Sequence, residues 1–356
     1  MTSQNTLTSI GVISFDLYTT LLAAFAVMWF AVCISGTLGN YVNIQTFVAM
    51  GLNDGVTVTF LVLSILDLCY ILVCLAMSVG TMLIVIEYKI PKVVFSVQPY
   101  AIGLTFGNIG VLFSSNIQLV TTFLSIARCM CIAKPLHFKF VFTRNVCCAV
   151  LFVISCFTLL ANLPVLATTG IVPIFDPSLN LTRPSFWTSE NRNQIKNIIW
   201  AVTEIFVPFA TQIIVIVCLV VMASCLRQSS KFRASSSTLI EQTNINANSG
   251  KKNNLALSVY NLSGKELQVI RQVAVVSLVY IVCNTPKIIS NSVTEAIPEY
   301  NVGNKFTNLY MVIFSLRKLF ELVNSSVSLP IYYRCNGKFR TLCTFRINQI
   351  KFGRFA

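Results

Sequence analysis

Long stretches without a charged residue are the feature that most limits what this sequence can fold into. Residues 17–53, 93–127 and 145–175 contain no Asp, Glu, Lys or Arg, and charged residues make up only 11% of the chain, against about 25% in a typical soluble protein. A helix crosses the hydrocarbon core of a bilayer with about 20 predominantly apolar residues. Three such intervals and four more that are broken by one to three charged residues are long enough, which predicts membrane spans at residues 17–47, 56–86, 97–130, 145–169, 197–227, 266–293 and 306–333.

The sequence therefore predicts an all-α integral membrane protein with a bundle of seven transmembrane helices within residues 1–350. After the seventh span, a short amphipathic helix at residues 335–347 is expected to place Phe339, Leu342 and Phe345 on one face among basic residues. Cys335 and Cys343 on this helix are candidate palmitoylation sites. The Ser-, Asn- and Lys-rich residues 228–263 are expected to form a flexible loop, and residues 351–356 a short tail.

The distribution of basic residues predicts the orientation, because Lys and Arg in short loops stay on the cytoplasmic side. With the amino terminus outside and the carboxyl terminus inside, the cytoplasmic segments hold 17 of the 26 basic residues but three of the 12 acidic ones. The remaining nine basic and nine acidic residues cancel, so one face carries the whole net charge of +14. This charge reflects topology and attraction to anionic membrane lipid, and no nucleic-acid partner is expected.

Several classes of protein are excluded or disfavoured by what the sequence lacks. His137 is the only histidine, which excludes a histidine-based catalytic triad and a multi-histidine metal site. Without a phosphate-binding loop or a nucleophile motif, we expect no enzyme activity and no cofactor. The thirteen cysteines fall in predicted spans or cytoplasmic segments, which argues against an extracellular disulfide framework. Asn180, in the outer Asn-Leu-Thr sequence, is a glycosylation acceptor or a chance occurrence of a short motif.

Five charged residues of the predicted spans lie about 12 to 20 Å from the outer ends of those spans. Charges at such depth normally face the interior of a helix bundle or a watery cavity. Arg317 and Glu321 are four residues apart, so they could also form a purely structural ion pair along one helix face. Three basic groups against two acids favour a ligand with an anionic group, an organic acid or an acidic peptide. The candidate ligand-binding residues are Glu204, Lys287, Arg317, Lys318 and Glu321, of which Lys287 beside Pro286 is the preferred contact.

An ordered series of short motifs resembles the rhodopsin-like (class A) G-protein-coupled receptors over nearly the whole chain. The motifs are Gly39-Asn40 in the first span, Asp67 in the second, Arg128 followed by Pro135-Leu136 after the third, Pro208 in the fifth, Cys283-x-x-Pro286 in the sixth, and Tyr332 followed by Phe339-Arg340. Within the family, Arg-Cys-x-Cys-Ile-x-x-Pro-Leu-x-Phe-Lys and Asn-Ser-Ser-Val-Ser are most similar to the chemosensory and neuropeptide-like receptors of molluscs.

The resemblance implies a plasma-membrane receptor that binds an extracellular chemosensory molecule or neuropeptide and activates a heterotrimeric G protein. Arrestin and a receptor kinase are further implied partners. The implied coupling and switch residues are Arg128, Pro135, Leu136, Pro286 and Tyr332. Asp67, Asn324 and Ser328 are implied to form a polar cluster that holds a sodium ion as a modulator, although Ile117 stands where a further ligand is expected. A cluster that rearranges without binding an ion is the alternative.

The sequence also departs from the family at its switch motifs. Ala127 and Cys129 stand where family members carry an acid and a tyrosine around the arginine, so we expect weaker restraint of Arg128 and raised basal signalling. Asn284 replaces a tryptophan, and Pro330 is displaced by one position. Gly103 stands where the outer disulfide cysteine is expected. A ligand-binding protein with little or no G-protein signalling therefore remains an alternative, and a small transporter, which usually shows internal repeats, is a weaker one.

Overall fold

The computed structural model describes residues 13–90, 92–133, 142–177, 179–243 and 264–352. Within them the protein is helical apart from one two-stranded antiparallel hairpin. The elements in chain order are α1 (Phe15–Met50), α2 (Gly55–Lys89), α3 (Pro99–Ala133), α4 (Arg144–Ala167), β1 (Thr169–Asp176), β2 (Leu181–Thr188), α5 (Arg192–Trp200), a π-helical turn (Ala201–Phe206), α6 (Val207–Thr243), α7 (Gly264–Ala296), α8 (Thr307–Ser326), α9 (Ser328–Cys335) and α10 (Gly337–Phe352).

Six helices in the described residues are long and apolar enough to cross a membrane, so the chain is a multi-pass helical membrane protein. They correspond to the first six predicted spans: α1, α2, α3, α4, the continuous helix that runs from α5 through the π turn into α6, and α7. The seventh predicted interval is occupied by α8 and α9, neither of which is long and apolar enough by the same measure to count as a membrane-spanning helix. Arg317, Lys318 and Glu321 lie within α8 and lower its hydropathy.

The hairpin and α10 mark opposite ends of the helix bundle. Arg183 of β2 binds Glu87 near the last turn of α2, whereas Lys338 of α10 donates to the carbonyl of Met50 at the end of α1, 3.0 Å away. These are called the hairpin end and the α10 end below. Thr169 to Asp176 pairs in register with Leu181 to Thr188, and Pro173 lies opposite Pro184.

Helix α3 is the central helix of the bundle, as its polar composition predicts. It contacts α2, α4, α6, α7 and both strands, and the apolar window within it has a larger buried share than that of the other five membrane-spanning helices. The polar residues that predict this position are all buried: Ser114, Ser115, Asn116, Gln118, Thr121 and Thr122. Their burial shows that the polar side chains of α3 face the interior of the bundle and not the lipid.

The structure corrects two predictions about segments that the sequence assigns to the cytoplasmic side, the flexible loop and the amphipathic helix. Helix α6 continues to Thr243, so residues 228–243 of the predicted loop are helical, since no Gly or Pro interrupts the chain between Pro208 and Gly250. Residues 244–263 of that loop, and 353–356 of the predicted tail, lie outside the described residues. In α10, Phe339 is fully buried while Phe345 is 59% exposed, so the two do not share one face.

Candidate functional site

The five interior charges converge between the π turn, α7 and α8. All five are buried: Glu204, Lys287, Arg317, Lys318 and Glu321 are each 8% exposed or less. Lys287 Nζ lies 2.9 Å from Glu204 Oε1, which joins α7 to the π turn. Lys287 is thus engaged in a buried ion pair with another of the predicted ligand-binding residues.

A second ion pair lies along α8 itself. Lys318 Nζ is 2.7 Å from Glu321 Oε2, and the hydroxyl of Tyr70 on α2 donates to the same oxygen at 2.5 Å. The alternative in which Arg317 pairs with Glu321 is therefore not the arrangement observed, because the ion pair of Glu321 is with Lys318. Tyr70 was not identified from the sequence, since an apolar context such as Leu-Cys-Tyr-Ile gives no sign of a polar contact.

Arg317 is the interior cation without a carboxylate partner in the described part of the chain. Its guanidinium donates to Asn291 Oδ1 on α7 and lies 4.9 Å from the ring centroid of Phe314, while Nε has no hydrogen-bond partner among the described residues. A buried guanidinium with a free donor is a ready site for an anionic group.

Pro208 connects this cluster to the backbone of the fifth predicted span. A proline has no N–H, so it cannot donate to the carbonyl four residues earlier, that of Glu204. Asn291 Nδ2 donates to this carbonyl instead, at 2.6 Å, and the chain before Pro208 adopts a π turn. Asn291 therefore links the freed carbonyl to Arg317 and holds α7 against the irregular segment.

The residues of the predicted ion cluster lie together deeper in the bundle. Asp67, Asn324 and Ser328 line one cavity of about 20 Å³, which is enough for about one water molecule or a small ion. Asp67 is 3% exposed, and its Oδ1 has no hydrogen-bond partner among the described residues. Ile117 also lines the cavity and supplies no ligand atom.

A neighbouring cavity connects this cluster to the interior charges. It too measures about 20 Å³, and it shares Ile117 and Asn324 with the first while reaching Tyr70 and Glu321. On the other side, Ser328 Oγ contacts Asn40 Oδ1 at 3.2 Å and accepts from Asn43 Nδ2 at 2.9 Å. Polar side chains thus run continuously from Glu321 to α1.

Asn284, beside the Pro286 position inside α7, belongs to a polar contact between α6 and α7. Its Nδ2 donates to Gln212 Oε1 at 3.2 Å and to the Tyr280 hydroxyl at 3.3 Å. Gln212 in turn donates to the carbonyl of Ile281 at 3.1 Å. Asn284 is therefore held by side chains of two helices.

Arg128 lies near the α10 end of α3 and is 7% exposed. It has a hydrogen bond with Cys131, and Asp54 at the start of α2 acts on it electrostatically, but no carboxylate in the described residues forms an ion pair with it. Asp54 itself caps α2 by accepting from the backbone N–H of Thr57 at 2.8 Å. Pro135 and Leu136 lie outside the described residues.

Tyr332 lies on α9 at the same end and is fully buried. Its ring centroid is 5.2 Å from that of Phe47, 5.1 Å from that of Phe60 and 5.8 Å from that of Phe339. These aromatic contacts join α1, α2, α9 and α10, so a movement of Tyr332 would disturb all four helices.

The predicted modification sites differ in their exposure. Asn180 is exposed in the turn between the strands with a positive φ of 50°, which fits an acceptor position. Cys335 is partly exposed, whereas Cys343 is 1% exposed. A buried thiol cannot be acylated without local opening, so the structure argues against Cys343 as a palmitoylation site.

Comparison with known proteins adds no relative to this picture. No protein-family model matches the chain, and no curated protein matches it.

Proposed function

We propose that the chain is a seven-span receptor of the rhodopsin-like type, in which α8 and α9 together form the seventh span. The observation that carries the proposal is the inward direction of the charges on α8. Arg317, Lys318 and Glu321 lower its hydropathy, yet all three are buried. Arg317 donates to Asn291, while Lys318 pairs with Glu321, which also accepts from Tyr70. A helix whose charges face the interior of a bundle can cross a membrane.

In this proposal the hairpin end faces outside and the α10 end faces the cytoplasm, which follows from the basic residues assigned to the cytoplasmic side. An extracellular ligand, a chemosensory molecule or a neuropeptide with an anionic group, binds at Arg317. Two features support an anionic ligand: Arg317 has no carboxylate partner in the described residues, and its Nε is unpaired there.

The polar path below Arg317 would carry the response toward the cytoplasm. Ligand contact at α8 is expected to shift Glu321 and, through the two adjoining cavities, Asp67 and Tyr332. Arg128 then meets a heterotrimeric G protein, and arrestin and a receptor kinase are further proposed partners. Asp67, Asn324 and Ser328 offer carboxylate, amide and hydroxyl oxygens, the ligand atoms that a hard cation such as sodium takes, and bound sodium would add one positive charge beside Asp67.

Nucleotide exchange on purified G proteins tests the proposal without a known ligand. Because Ala127 and Cys129 leave Arg128 weakly restrained, the receptor in lipid nanodiscs is expected to accelerate exchange above empty nanodiscs for at least one G protein of a panel. Arg128→Ala is expected to return exchange to background. Arg144→Ala removes an exposed charge of the same sign from the start of α4 and is expected to have no effect.

The same assay separates the receptor from a second candidate function, a ligand-binding protein that does not signal. The observation that favours this alternative is that several switch motifs depart from the pattern of the proposed family, at Ala127, Asn284 and Pro330. The proposal fails if no G protein responds to the basal receptor or to any member of a screen of organic acids and acidic neuropeptides.

A further inference from the structure

A second group of unpaired donors lies at the hairpin end, apart from the interior charges. Arg192, at the start of α5, donates from Nη2 to Asn108 Oδ1 on α3 at 3.4 Å. Its Nε and the Nδ2 of Asn108 have no hydrogen-bond partners among the described residues, and neither do Thr105 Oγ1 and Ser189 Oγ. Asn108 is 9% exposed, so its free amide is buried.

These four residues lie at one place in the fold. Thr105 and Asn108 are three apart on α3 and so face the same direction. Ser189 and Arg192 are joined because the backbone N–H of Arg192 donates to the carbonyl of Ser189 at 3.1 Å. The contact between Arg192 and Asn108 brings the two pairs together. Thr105, Asn108, Ser189 and Arg192 are called the α3–α5 site.

The chemistry of the α3–α5 site favours an anion over water. All four free groups can donate a hydrogen bond, and a carboxylate offers about four acceptor positions on two oxygens, whereas a water molecule accepts only two. Lys196, one turn further along α5, adds a second cation, with its Nζ 4.8 Å from the ring centroid of Trp200. Neither Arg192 nor Lys196 forms an ion pair in the described residues, and the adjacent Glu190 is exposed.

We propose that the α3–α5 site binds a carboxylate group of the ligand, as a second anionic contact in addition to Arg317. This inference rests on the proposed receptor function for the existence of that ligand. Arg317 is linked through Asn291 to Glu204, which is twelve residues after Arg192, or about 18 Å along the helix. An extended peptide spans this distance with about five residues, so the ligand is an acidic peptide rather than a compact organic acid.

The test measures binding to the full chain in phosphatidylcholine nanodiscs, with the apparent Kd taken from the shift of the thermal unfolding midpoint. The probe is a blocked peptide with glutamate at both ends and four glycines between them. Its controls carry glutamine at one end or at both ends, and succinate serves as the compact dicarboxylate. The two-glutamate peptide is expected to bind more tightly than every control.

Arg192→Gln is expected to weaken the two-glutamate peptide about tenfold, the loss of one charged hydrogen-bonding contact, and to leave the one-glutamate peptides nearly unchanged. Lys305→Gln, which removes an exposed cation between α7 and α8 at the same end, is the matched control and is expected to have no effect. If Arg192→Gln does not fold, Asn108→Asp places a repelling carboxylate in the site and is expected to give the same loss.

Three results would overturn the inference. They are equal weakening by Arg192→Gln and Lys305→Gln, equal affinity for peptides with one and two glutamates, or no binding of any peptide. A repeat with phosphatidylglycerol in the nanodiscs tests for a lipid headgroup. If this lipid stabilises the wild type but not Arg192→Gln, and the peptides give no shift, the assignment to a soluble ligand is wrong. Because no G protein is present, these outcomes are independent of whether the chain signals.

Discussion

The ion pair between Lys287 and Glu204 gives a quantitative test of the buried charge cluster. Lys287 is 1% exposed and Glu204 is 5% exposed, with 2.9 Å between Nζ and Oε1. Lys287→Met removes the cation and leaves a buried carboxylate without its partner, which typically costs about 3–5 kcal/mol. Glu204→Gln leaves the lysine buried and is expected to cost a similar amount.

The double variant separates pairing from packing. Replacing both members of a buried pair by neutral groups of similar volume is often nearly neutral, so Lys287→Met with Glu204→Gln is expected to be more stable than either single variant. The coupling energy would then be about 3 kcal/mol or more, far above the few tenths typical of independent sites. Asn291 donates to the backbone carbonyl of residue 204, a contact that none of these substitutions removes, so the backbone near Pro208 is expected to stay in place.

The assay is reversible unfolding of the purified chain by SDS in mixed micelles, followed by circular dichroism. Lys305→Met, at an exposed position, is the control for removing a positive charge and is expected to change the unfolding free energy by less than about 0.5 kcal/mol. Additive single effects, or a single variant that costs under about 1 kcal/mol, would show that Lys287 and Glu204 are not a desolvated pair.

Three further predictions follow from individual residues. Gly36→Ala is expected to lower the thermal unfolding midpoint, because its Cβ would overlap a side chain of α8, whereas Gly103→Ala, with nothing within 4 Å of its Cβ, is expected to leave it unchanged; equal effects would refute the packing argument. Ala127→Asp is expected to lower basal nucleotide exchange by giving Arg128 a carboxylate, and an unchanged baseline would count against weak restraint. Metabolic labelling with a palmitate analogue is expected to fall in Cys335→Ser and not in Cys343→Ser, and the opposite order would contradict the burial of Cys343.

The sequence predicts that the interior charges are buried, but it does not predict which residues they contact. Uncharged intervals identify six membrane-spanning helices, and the cost of charge in lipid explains why Lys287 and Glu321 face inward. Spacing along one helix left open a pair between Arg317 and Glu321, whereas the structure pairs Glu321 with Lys318, three residues away on the same helix. Tyr70 and Asn291 come from other helices, and no local pattern in the chain signals that they reach α8.

The hairpin shows a different limit of the sequence. The segment between the two strands contains no Asn-Gly or Asp-Gly turn sequence, which would have indicated a hairpin. Pro173 and Pro184 also argue against strands, because proline is disfavoured inside a sheet. In the structure these two prolines lie opposite each other in a two-stranded ribbon. Both strands of such a ribbon are edge strands, so a missing N–H on each is tolerated. The register that places the two prolines opposite each other cannot be read from the sequence and is known only from the structure.

The hairpin is attached to the helix bundle by an ion pair and a backbone hydrogen bond. Arg183, with a side chain 7% exposed, joins Glu87 at 2.6 Å and Asp176 at 3.1 Å, and the N–H of Gln98 donates to the carbonyl of Pro184 at 2.9 Å. Burial alone would lower the pKa of Arg183, but its contacts with Glu87 and Asp176 raise it, so the guanidinium stays charged.

An attachment made of ion pairs differs from a disulfide in what can release it. Reducing agents leave it intact, whereas protonation of its carboxylates or competition by an anion weakens it. Phe186 of the same hairpin lies with its ring centroid 5.7 Å from the guanidinium of Arg192. A hairpin that moves with Arg183 would therefore change access to the α3–α5 site, and anion binding at Arg192 and hairpin position would be coupled in both directions.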